Sequence, residues 1–172
     1  MGVSADLGYV HGHANPFQRL IQRFGSTAFG AWLFSKVLVR MDLACNKITG
    51  GRTSVPQLLA GLPVVFVTTT GRRSGRPRTT PLVAMPIGDT LALLGTNFGR
   101  PATPGWVLNL DADPAARVRY RDTALDLMAR RATEGERTEV WNVAAIVAPT
   151  YLAYKERVTG RDIRIFVLEH IR

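Results

Sequence analysis

A change in hydrophobic pattern at Pro63 constrains the fold of this chain more than any other feature of the sequence. Residues 63–70 (PVVFVTTT) and 78–85 (RTTPLVAM) are rich in β-branched side chains, which pack well on a pleated sheet. The segment between them, 71–77 (GRRSGRP), has the glycines and proline of a turn. The pattern therefore predicts a β-hairpin, and Pro81, which lacks an N–H donor, indicates an edge or a bulge in its second strand.

The rest of the chain alternates between helical and strand-like patterns. Apolar residues recur every three or four positions over residues 26–48, which predicts a helix ahead of the hairpin. Thr133 and Glu136 have the spacing of a capping box and predict a helix from about 134 to 147. The other predicted elements are strands at 90–95, 116–120, 124–129 and 163–168, a helix at 103–110 that is capped by Thr103 ahead of Pro104, and a helix at 150–158.

This order of elements predicts an α+β fold built on one barrel-like sheet of about six strands, with a leading helix and short C-terminal helices. The strands are clustered and few βαβ units occur, which argues against a Rossmann fold. A length of 172 residues fits one domain that can bury a core. We expect the polar residues 1–15 to be flexible and residues 16–172 to form that single domain.

The chain carries a net charge of +9, and its pI is about 10.8. Such an excess favours an anionic partner, which is a nucleic acid, a membrane surface or a phosphorylated or carboxylated small molecule. The alternative is an ordinary basic protein without such a partner.

Residues that would suggest a disulfide, a metal or export are scarce. Cys45 is the single cysteine, so no intrachain disulfide forms, and its apolar helical surroundings favour a structural thiol. His11 and His13 lack an evident third ligand, so we expect no metal. The N-terminus lacks a basic start followed by an apolar run, which predicts no signal peptide and a cytoplasmic location.

The predicted turn of the hairpin concentrates positive charge. Four arginines lie within seven residues of residues 71–78, here called the arginine loop: Arg72, Arg73, Arg76 and Arg78. Each guanidinium offers a planar fork of donors that matches phosphate and carboxylate groups. Gly75 lets the backbone approach an anion closely, and backbone N–H groups can join the contact. The loop therefore predicts a binding site for a small polyanion.

The arginine loop allows other interpretations. The loop is also consistent with a solvated basic turn. Gly75-Arg76-Pro77 is similar to the core of peptides that lie in the DNA minor groove, but the β-branched flanks commit it to folded structure, so we expect no nucleic-acid partner. The GxxxxGK[ST] spacing of a P-loop is absent, and no His–Asp pair close in sequence supports Ser74 as a nucleophile.

Residues 68–82 (TTTGRRSGRPRTTPL) resemble the signature of the deazaflavin (F420)-dependent nitroreductase family, the F420H2-dependent quinone reductases of actinobacteria. Residues 104–110 are similar to its P-x-W-x-x-N-L segment, and Trp141, Tyr151 and Tyr154 resemble its C-terminal helices. The resemblance covers about residues 28–169. It implies a split β-barrel with a leading helix and F420 as the cofactor, with FMN as the alternative because related split barrels bind it.

The resemblance also implies which residues contact the cofactor. The phosphate and the oligoglutamate tail would be held by the loop residues Arg72, Arg73, Ser74 and Arg78. The deazaflavin ring would be lined by the strand residues Thr79, Thr80, Pro81 and Leu82. The phosphate side would be closed by Trp106 and Asn109, and Asn97 stands where the family often has a lysine.

The implied reaction is hydride transfer from reduced F420 to a small apolar acceptor such as a quinone or an enone. Tyr151, Tyr154 and Thr96 are predicted to donate the proton or to orient the acceptor, although core packing explains the two tyrosines equally well. Ala148 replaces a substrate-side tyrosine, which makes the acceptor pocket more apolar. The alternative function is a non-catalytic barrel that binds F420 or a lipid. We expect a monomer or weak homodimer, and a peripheral membrane contact of the 26–48 helix stays open.

Overall fold

The computed structural model describes residues 2–9, Thr27 and residues 63–171. Apart from Thr27, the predicted 26–48 helix lies outside these residues, as do Cys45, His11 and His13. The helices of the described chain are α1 (Val3–Asp6), α2 (Gly105–Ala112), α3 (Glu134–Val147) and α4 (Thr150–Arg157). Its strands are β1 (Val64–Thr70), β2 (Pro77–Ile87), β3 (Thr90–Leu94), β4 (Ala115–Tyr120), β5 (Thr123–Arg131) and β6 (Ile165–His170).

The strands of the described ranges form a closed antiparallel barrel in the order β1, β2, β3, β6, β5 and β4, with β4 pairing back to β1. This confirms the predicted α+β barrel of about six strands. Closure leaves few unpaired strand edges. Pro81 lies opposite Phe66 in the half of β2 that pairs with β1 alone, while only residues 84–87 pair with β3, which agrees with an edge position for this proline.

The inside of the barrel is apolar and closed at both ends. At one end α2 inserts Trp106, Val107 and Leu110, and at the other α1 inserts Val3 and Leu7. The strands supply side chains at alternate positions that are at most 2% exposed: Val65, Val67, Leu91, Leu93, Val118, Leu127, Phe166 and Leu168. Full burial of one such side chain stabilises the fold by roughly 1.5–3 kcal/mol, so this interior is the main source of stability.

Residues 2–9 are packed against the barrel, whereas the polar composition predicted a flexible segment over residues 1–15. Val3 and Leu7 are only 3% and 2% exposed, because their spacing places both on one face of a helical turn. The Ser4 N–H donates to the Asp89 carbonyl at 3.1 Å. The Tyr9 hydroxyl donates to the Ala84 carbonyl at 2.6 Å, and these long-range contacts were not visible in the polar composition.

The helices that follow the barrel strands cover one of its outer faces. α3 buries Val140 and Ala144 against Met85, Ile87 and Ala92 of β2 and β3.

α2 begins at Gly105 with Pro104 as its N-cap, so the predicted cap at Thr103 was wrong by one residue. The reason is that Pro104 keeps an extended conformation, with a ψ of 144°. Within residues 2–9 and 63–171, no helix is long and apolar enough to cross a membrane.

The capping box of α3 is confirmed and extends into an ion pair. The Thr133 hydroxyl accepts from the Glu136 N–H at 3.4 Å, and the Glu136 carboxylate accepts from the Thr133 N–H at 2.7 Å. Arg130 donates two further hydrogen bonds to this carboxylate, at 2.6 and 2.7 Å. The Arg130 contact, helped by the Thr133 bonds, lowers the pKa of Glu136 from 4.5 to about 2.

We predict that Glu136 contributes an acid-sensitive part of the stability. Its pKa is lower in the folded state than in the unfolded chain, so its contribution is complete above about pH 4.5 and is lost as the pH falls toward about 2. Glu136→Gln should therefore lower the free energy of unfolding at neutral pH and flatten its decline over this interval. Urea unfolding at several pH values measures this. Glu139→Gln, at an exposed position of the same helix, is the control, and an equal effect of both variants would contradict the prediction.

Candidate functional site

One end of the barrel collects the residues that the sequence pattern indicated. Because the strands are antiparallel, β1, β3 and β5 all finish at the end that α2 closes. The arginine loop follows β1, and residues 95–104 follow β3 and lead into α2. α4 packs against the turn Asn97–Gly99. The predicted cofactor loop and the predicted acceptor residues therefore share this end of the barrel.

The arginine loop has a fixed backbone. The Gly71 N–H donates to the Arg76 carbonyl at 2.9 Å, and the Gly75 N–H donates to the Gly71 carbonyl at 2.7 Å. Gly75 has a φ of 63°, which L side chains rarely adopt. A Cβ on Gly71 would lie 2.9 Å from both the Arg76 carbonyl oxygen and the Ser74 hydroxyl oxygen. Both glycines are therefore required by the shape of the loop.

Asn109 of α2 holds the start of the loop directly and its end through Thr69. Its Oδ1 accepts from the Arg72 N–H at 3.1 Å, and its Nδ2 donates to the Thr69 hydroxyl at 3.0 Å. Thr69 in turn lies 3.5 Å from the carbonyl of Arg78. Asn109 is 8% exposed and both ends of its amide are engaged. It therefore acts through the loop as a positioning residue and offers little surface to a ligand.

The guanidinium groups of the loop face solvent. Arg72, Arg73, Arg76 and Arg78 are all exposed, and none of them takes part in an ion pair among the residues that the structure describes. Beside the loop, a cleft of about 330 Å³ is bounded by residues 68–70, Gly75, Pro77 and the facing strands β4 and β5. The loop thus presents several charges that the described protein surface does not neutralise.

The strand residues predicted to line a flat ring lie on two faces. Thr80 and Leu82 stand opposite Val67 and Val65, so their side chains point into the barrel. Thr79 and Pro81 point outward, and the Thr79 hydroxyl lies 2.8 Å from that of Thr68. Of these four residues, only Thr79 and Pro81 present their side chains to a ligand on the outer face. The sequence order alone did not separate the two pairs.

Trp106 and Asn97 have structural partners that the sequence did not reveal. Trp106 is 6% exposed and packs within the barrel, with its ring 6.1 Å from that of Phe166. This burial leaves it little surface for closing a ligand site. Asn97 has a φ of 51°, and its Nδ2 donates to the Ala102 carbonyl at 2.8 Å. Asparagine tolerates this left-handed conformation better than lysine does, which explains its presence in the turn.

An ion-pair cluster at the same end was missed by the sequence analysis. Asp111 of α2 accepts from Arg131 and from Arg164, at 2.5 Å in each case. The cluster ties α2 to the end of β5 and the start of β6. The partners are 20 and 53 residues apart in sequence, so no local pattern predicts the cluster.

Two of the three predicted acceptor residues, Tyr151 and Tyr154, are in contact with each other. Tyr154 is 5% exposed, and the partly buried Tyr151 lies beside it with ring centroids 5.6 Å apart. The ring of Phe98, two residues after the buried Thr96, meets Tyr154 edge-on at 5.9 Å. Burial raises the pKa of Tyr154 to about 12 and also raises the pKa of Tyr151. Both hydroxyls therefore stay protonated at neutral pH and remain able to donate a hydrogen bond.

Arg161 is a second residue that the sequence analysis missed. Its guanidinium donates to the carbonyls of Gly95, Thr96 and Arg100, at 3.0, 3.0 and 3.1 Å. Burial, assisted by the charge of Arg164, lowers the pKa of Arg161. This side chain fixes the segment that carries Thr96 and the Asn97–Gly99 turn.

The sequence matches the F420H(2)-dependent quinone reductase family over residues 38–170. The chain is 28% identical over 134 residues to an F420H(2)-dependent quinone reductase of Mycobacterium tuberculosis strain H37Rv, an alignment that covers 76% of this chain and 89% of that relative. A solved F420-H2 dependent reductase (FDR-A) is similar with a TM-score of 0.57 and 34% identity, over 62% of this chain and 94% of that chain. A second solved structure, recorded as a domain-swapped dimer, has a TM-score of 0.59 and 29% identity, over 76% of this chain and 97% of that chain.

We predict that Asn109→Leu releases the arginine loop. The substitution leaves the Arg72 N–H and the Thr69 hydroxyl without their buried partner, which should cost about 1–3 kcal/mol of unfolding free energy. Amide hydrogen exchange at residues 71–76 should speed up while exchange in β6 changes little. Asn142→Leu, the same change at an exposed position of α3, is the control. Unchanged exchange in the loop would show that Asn109 does not hold it.

Proposed function

Because this chain belongs to the F420H(2)-dependent quinone reductase family, we propose that it oxidises F420H2 with a small apolar quinone or enone as the acceptor. F420 is the cofactor of this family, and when bound it supplies a hydride from its reduced ring. The observation that carries the proposal is the arginine loop, whose backbone is pinned to α2 and whose guanidinium groups have no ion-pair partner among the described residues.

The loop suits the anionic part of this cofactor. Arg72, Arg73 and Arg78 would bind the phosphate and the carboxylates of the oligoglutamate tail through charge-assisted hydrogen bonds. The Ser74 hydroxyl, which accepts from the Arg76 N–H at 3.4 Å, keeps its own proton for donation to an anion. A rigid loop loses little conformational entropy on binding, so more of the electrostatic attraction appears as affinity.

The flat ring of the cofactor would lie on the outer face of β2. The side chains available there are Thr79 and Pro81, which follow directly from the loop. Thr80 and Leu82 face the interior and would support this strand from behind. Thr79 and Pro81 are therefore the proposed ring contacts, while Thr80 and Leu82 would serve packing.

Acceptor reduction requires a hydride and a proton, and the proton would come from the tyrosine pair or its neighbour Thr96. Tyr151 is the more exposed of the two residues as a whole, so we assign it the contact with the acceptor. Tyr154 would orient Tyr151 through the contact of their rings. A raised tyrosine pKa keeps the proton on the hydroxyl at neutral pH, so the hydroxyl can donate a hydrogen bond to the acceptor oxygen as negative charge develops there.

We predict that Arg72→Ala and Arg73→Ala each weaken F420 binding about 10-fold to 100-fold, because each loses a charge-assisted contact to an anion. Titration of the purified protein with F420, followed by fluorescence, measures the Kd. The effect should shrink as salt concentration rises, because the ions screen exposed charges. FMN, titrated in parallel, should bind more weakly since it has one phosphate and no carboxylate tail.

The control for this titration is Arg121→Asn, which removes one positive charge at the β4–β5 turn, at the other end of the barrel. Asparagine suits the φ of 53° at this position, so the fold should be kept. If Arg121→Asn weakens F420 binding equally, the effect of the loop variants comes from the change in net charge alone. Absence of F420 binding by the wild-type protein would overturn the proposed function.

We predict that Tyr151→Phe lowers kcat for quinone reduction about 10-fold to 100-fold with little change in the Kd of F420, because the hydroxyl serves proton transfer only. With a pKa of about 12 for Tyr154 and a raised pKa for Tyr151, neither tyrosine ionises between about pH 6 and about pH 10. The kcat of the wild type should therefore show no tyrosine titration over this range. Steady-state oxidation of F420H2 by a quinone measures both quantities.

Tyr120→Phe is the matched control for this variant, because Tyr120 is buried inside the barrel near α1 and away from the arginine loop. It should leave kcat unchanged. If Tyr151→Phe keeps the wild-type kcat, the role of Tyr151 is core packing, which is the alternative that the sequence left open.

A further inference from the structure

The turn after Thr96 contains a conformation that its central residue disfavours. Asn97, Phe98 and Gly99 have φ values of 51°, 58° and 78°, so three consecutive residues are left-handed. Asparagine and glycine adopt this region readily, but a bulky side chain such as phenylalanine meets steric strain there. Strain of this kind persists only where the surrounding structure enforces it, and it concentrates at functional sites.

The surroundings do enforce this conformation. Arg161 fixes the carbonyls of Gly95, Thr96 and Arg100, which flank the strained turn on both sides. Gly99 is pressed against α4, where an added Cβ would lie 3.1 Å from the Cβ of Arg157. The turn therefore cannot relax without breaking the contacts of Arg161 or lifting away from α4.

The result of this arrangement is the position of one aromatic ring. Phe98 is half-buried and its ring meets that of the buried Tyr154 edge-on at 5.9 Å, while the ring of Tyr151 lies 5.6 Å from that of Tyr154. Two partly exposed rings thus contact the same buried ring. A glycine or asparagine at position 98 would adopt the same backbone without strain. We therefore infer that the strained conformation is kept because it positions the phenylalanine ring.

We propose that Phe98 is a specificity-determining residue that, together with Tyr151, forms an aromatic wall selecting flat, conjugated acceptors, and that Arg161 is the positioning residue that holds Phe98 in place. Aromatic rings bind flat conjugated rings through offset and edge-on contacts that a puckered aliphatic ring does not provide. The inference rests on the proposed function, since it names the class of acceptor that this same site prefers.

The test compares a planar naphthoquinone with cyclohexenone, a compact and non-planar enone, as acceptors for the F420-loaded protein. Phe98→Gly removes the ring and relieves the left-handed backbone. It should lower kcat/KM for the naphthoquinone about 10-fold, mainly through KM, and change the value for the enone less than about threefold. The Kd of F420 should not rise, and the melting temperature should not fall. Phe98→Tyr keeps the ring and should retain the wild-type preference.

Arg161→Lys tests the positioning role. A lysine cannot reach three carbonyls with one planar group, so the naphthoquinone KM should rise while kcat changes little. An equal loss with both acceptors in Phe98→Gly, or a drop in melting temperature with unchanged preference, would overturn the proposal.

Direct binding separates this inference from the proposed function. Quenching of the intrinsic tryptophan fluorescence by the naphthoquinone alone gives its Kd without any turnover. If the wild type binds the naphthoquinone and Phe98→Gly binds it about tenfold more weakly, the aromatic wall is supported even where F420H2 is not oxidised. Equal binding by the two proteins, or no binding by the wild type, would overturn it.

Discussion

The insertion of α2 into one end of the barrel is the interaction on which the site depends. Trp106, Val107 and Leu110 are buried among the barrel side chains, so the hydrophobic effect holds this helix at a fixed depth. The polar residues of the same helix then face the barrel rim, where Asn109 binds the arginine loop and Asp111 binds Arg131 and Arg164. A helix packed for apolar reasons thereby fixes the position of the charged groups around it.

The arginines at this end fall into two classes with different energetics. Arg131 and Arg164 share the carboxylate of Asp111, so their charges are compensated within the protein. The exposed arginines of the loop, such as Arg72 and Arg73, have no such partner among the described residues. Unpaired like charges on one loop repel each other and gain nothing for the fold, and an anionic ligand removes this cost. This contrast supports the proposal that the loop, and not the other surface arginines, binds the cofactor.

The other half of the site is organised by packing and strain. The two terminal nitrogens of the Arg161 guanidinium donate to backbone carbonyls and, among the described residues, to no acidic side chain, so the side chain defines the backbone from Gly95 to Arg100. The ring of Tyr154 then lies 5.9 Å from that of Phe98 and 5.6 Å from that of Tyr151. Both halves of the proposed site share the end of the barrel that α2 closes, so the arginine loop and the aromatic cluster lie around one helix.

The sequence by itself determined the features that arise from local chemistry. β-branched runs, turn glycines and the Thr133–Glu136 box depend on neighbouring residues only. The observed ends of the predicted strands and of the 134–147 helix accordingly lie within two residues of the predicted ends. The loop of arginines was visible for the same reason. Only the tertiary structure decided the packing of residues 2–9, the anchoring of the loop by Asn109 and the clamp of Arg161 on the Phe98 turn. Those bonds join residues 37 to 85 positions apart, and their partners are set by the closure of the barrel, which no local pattern encodes.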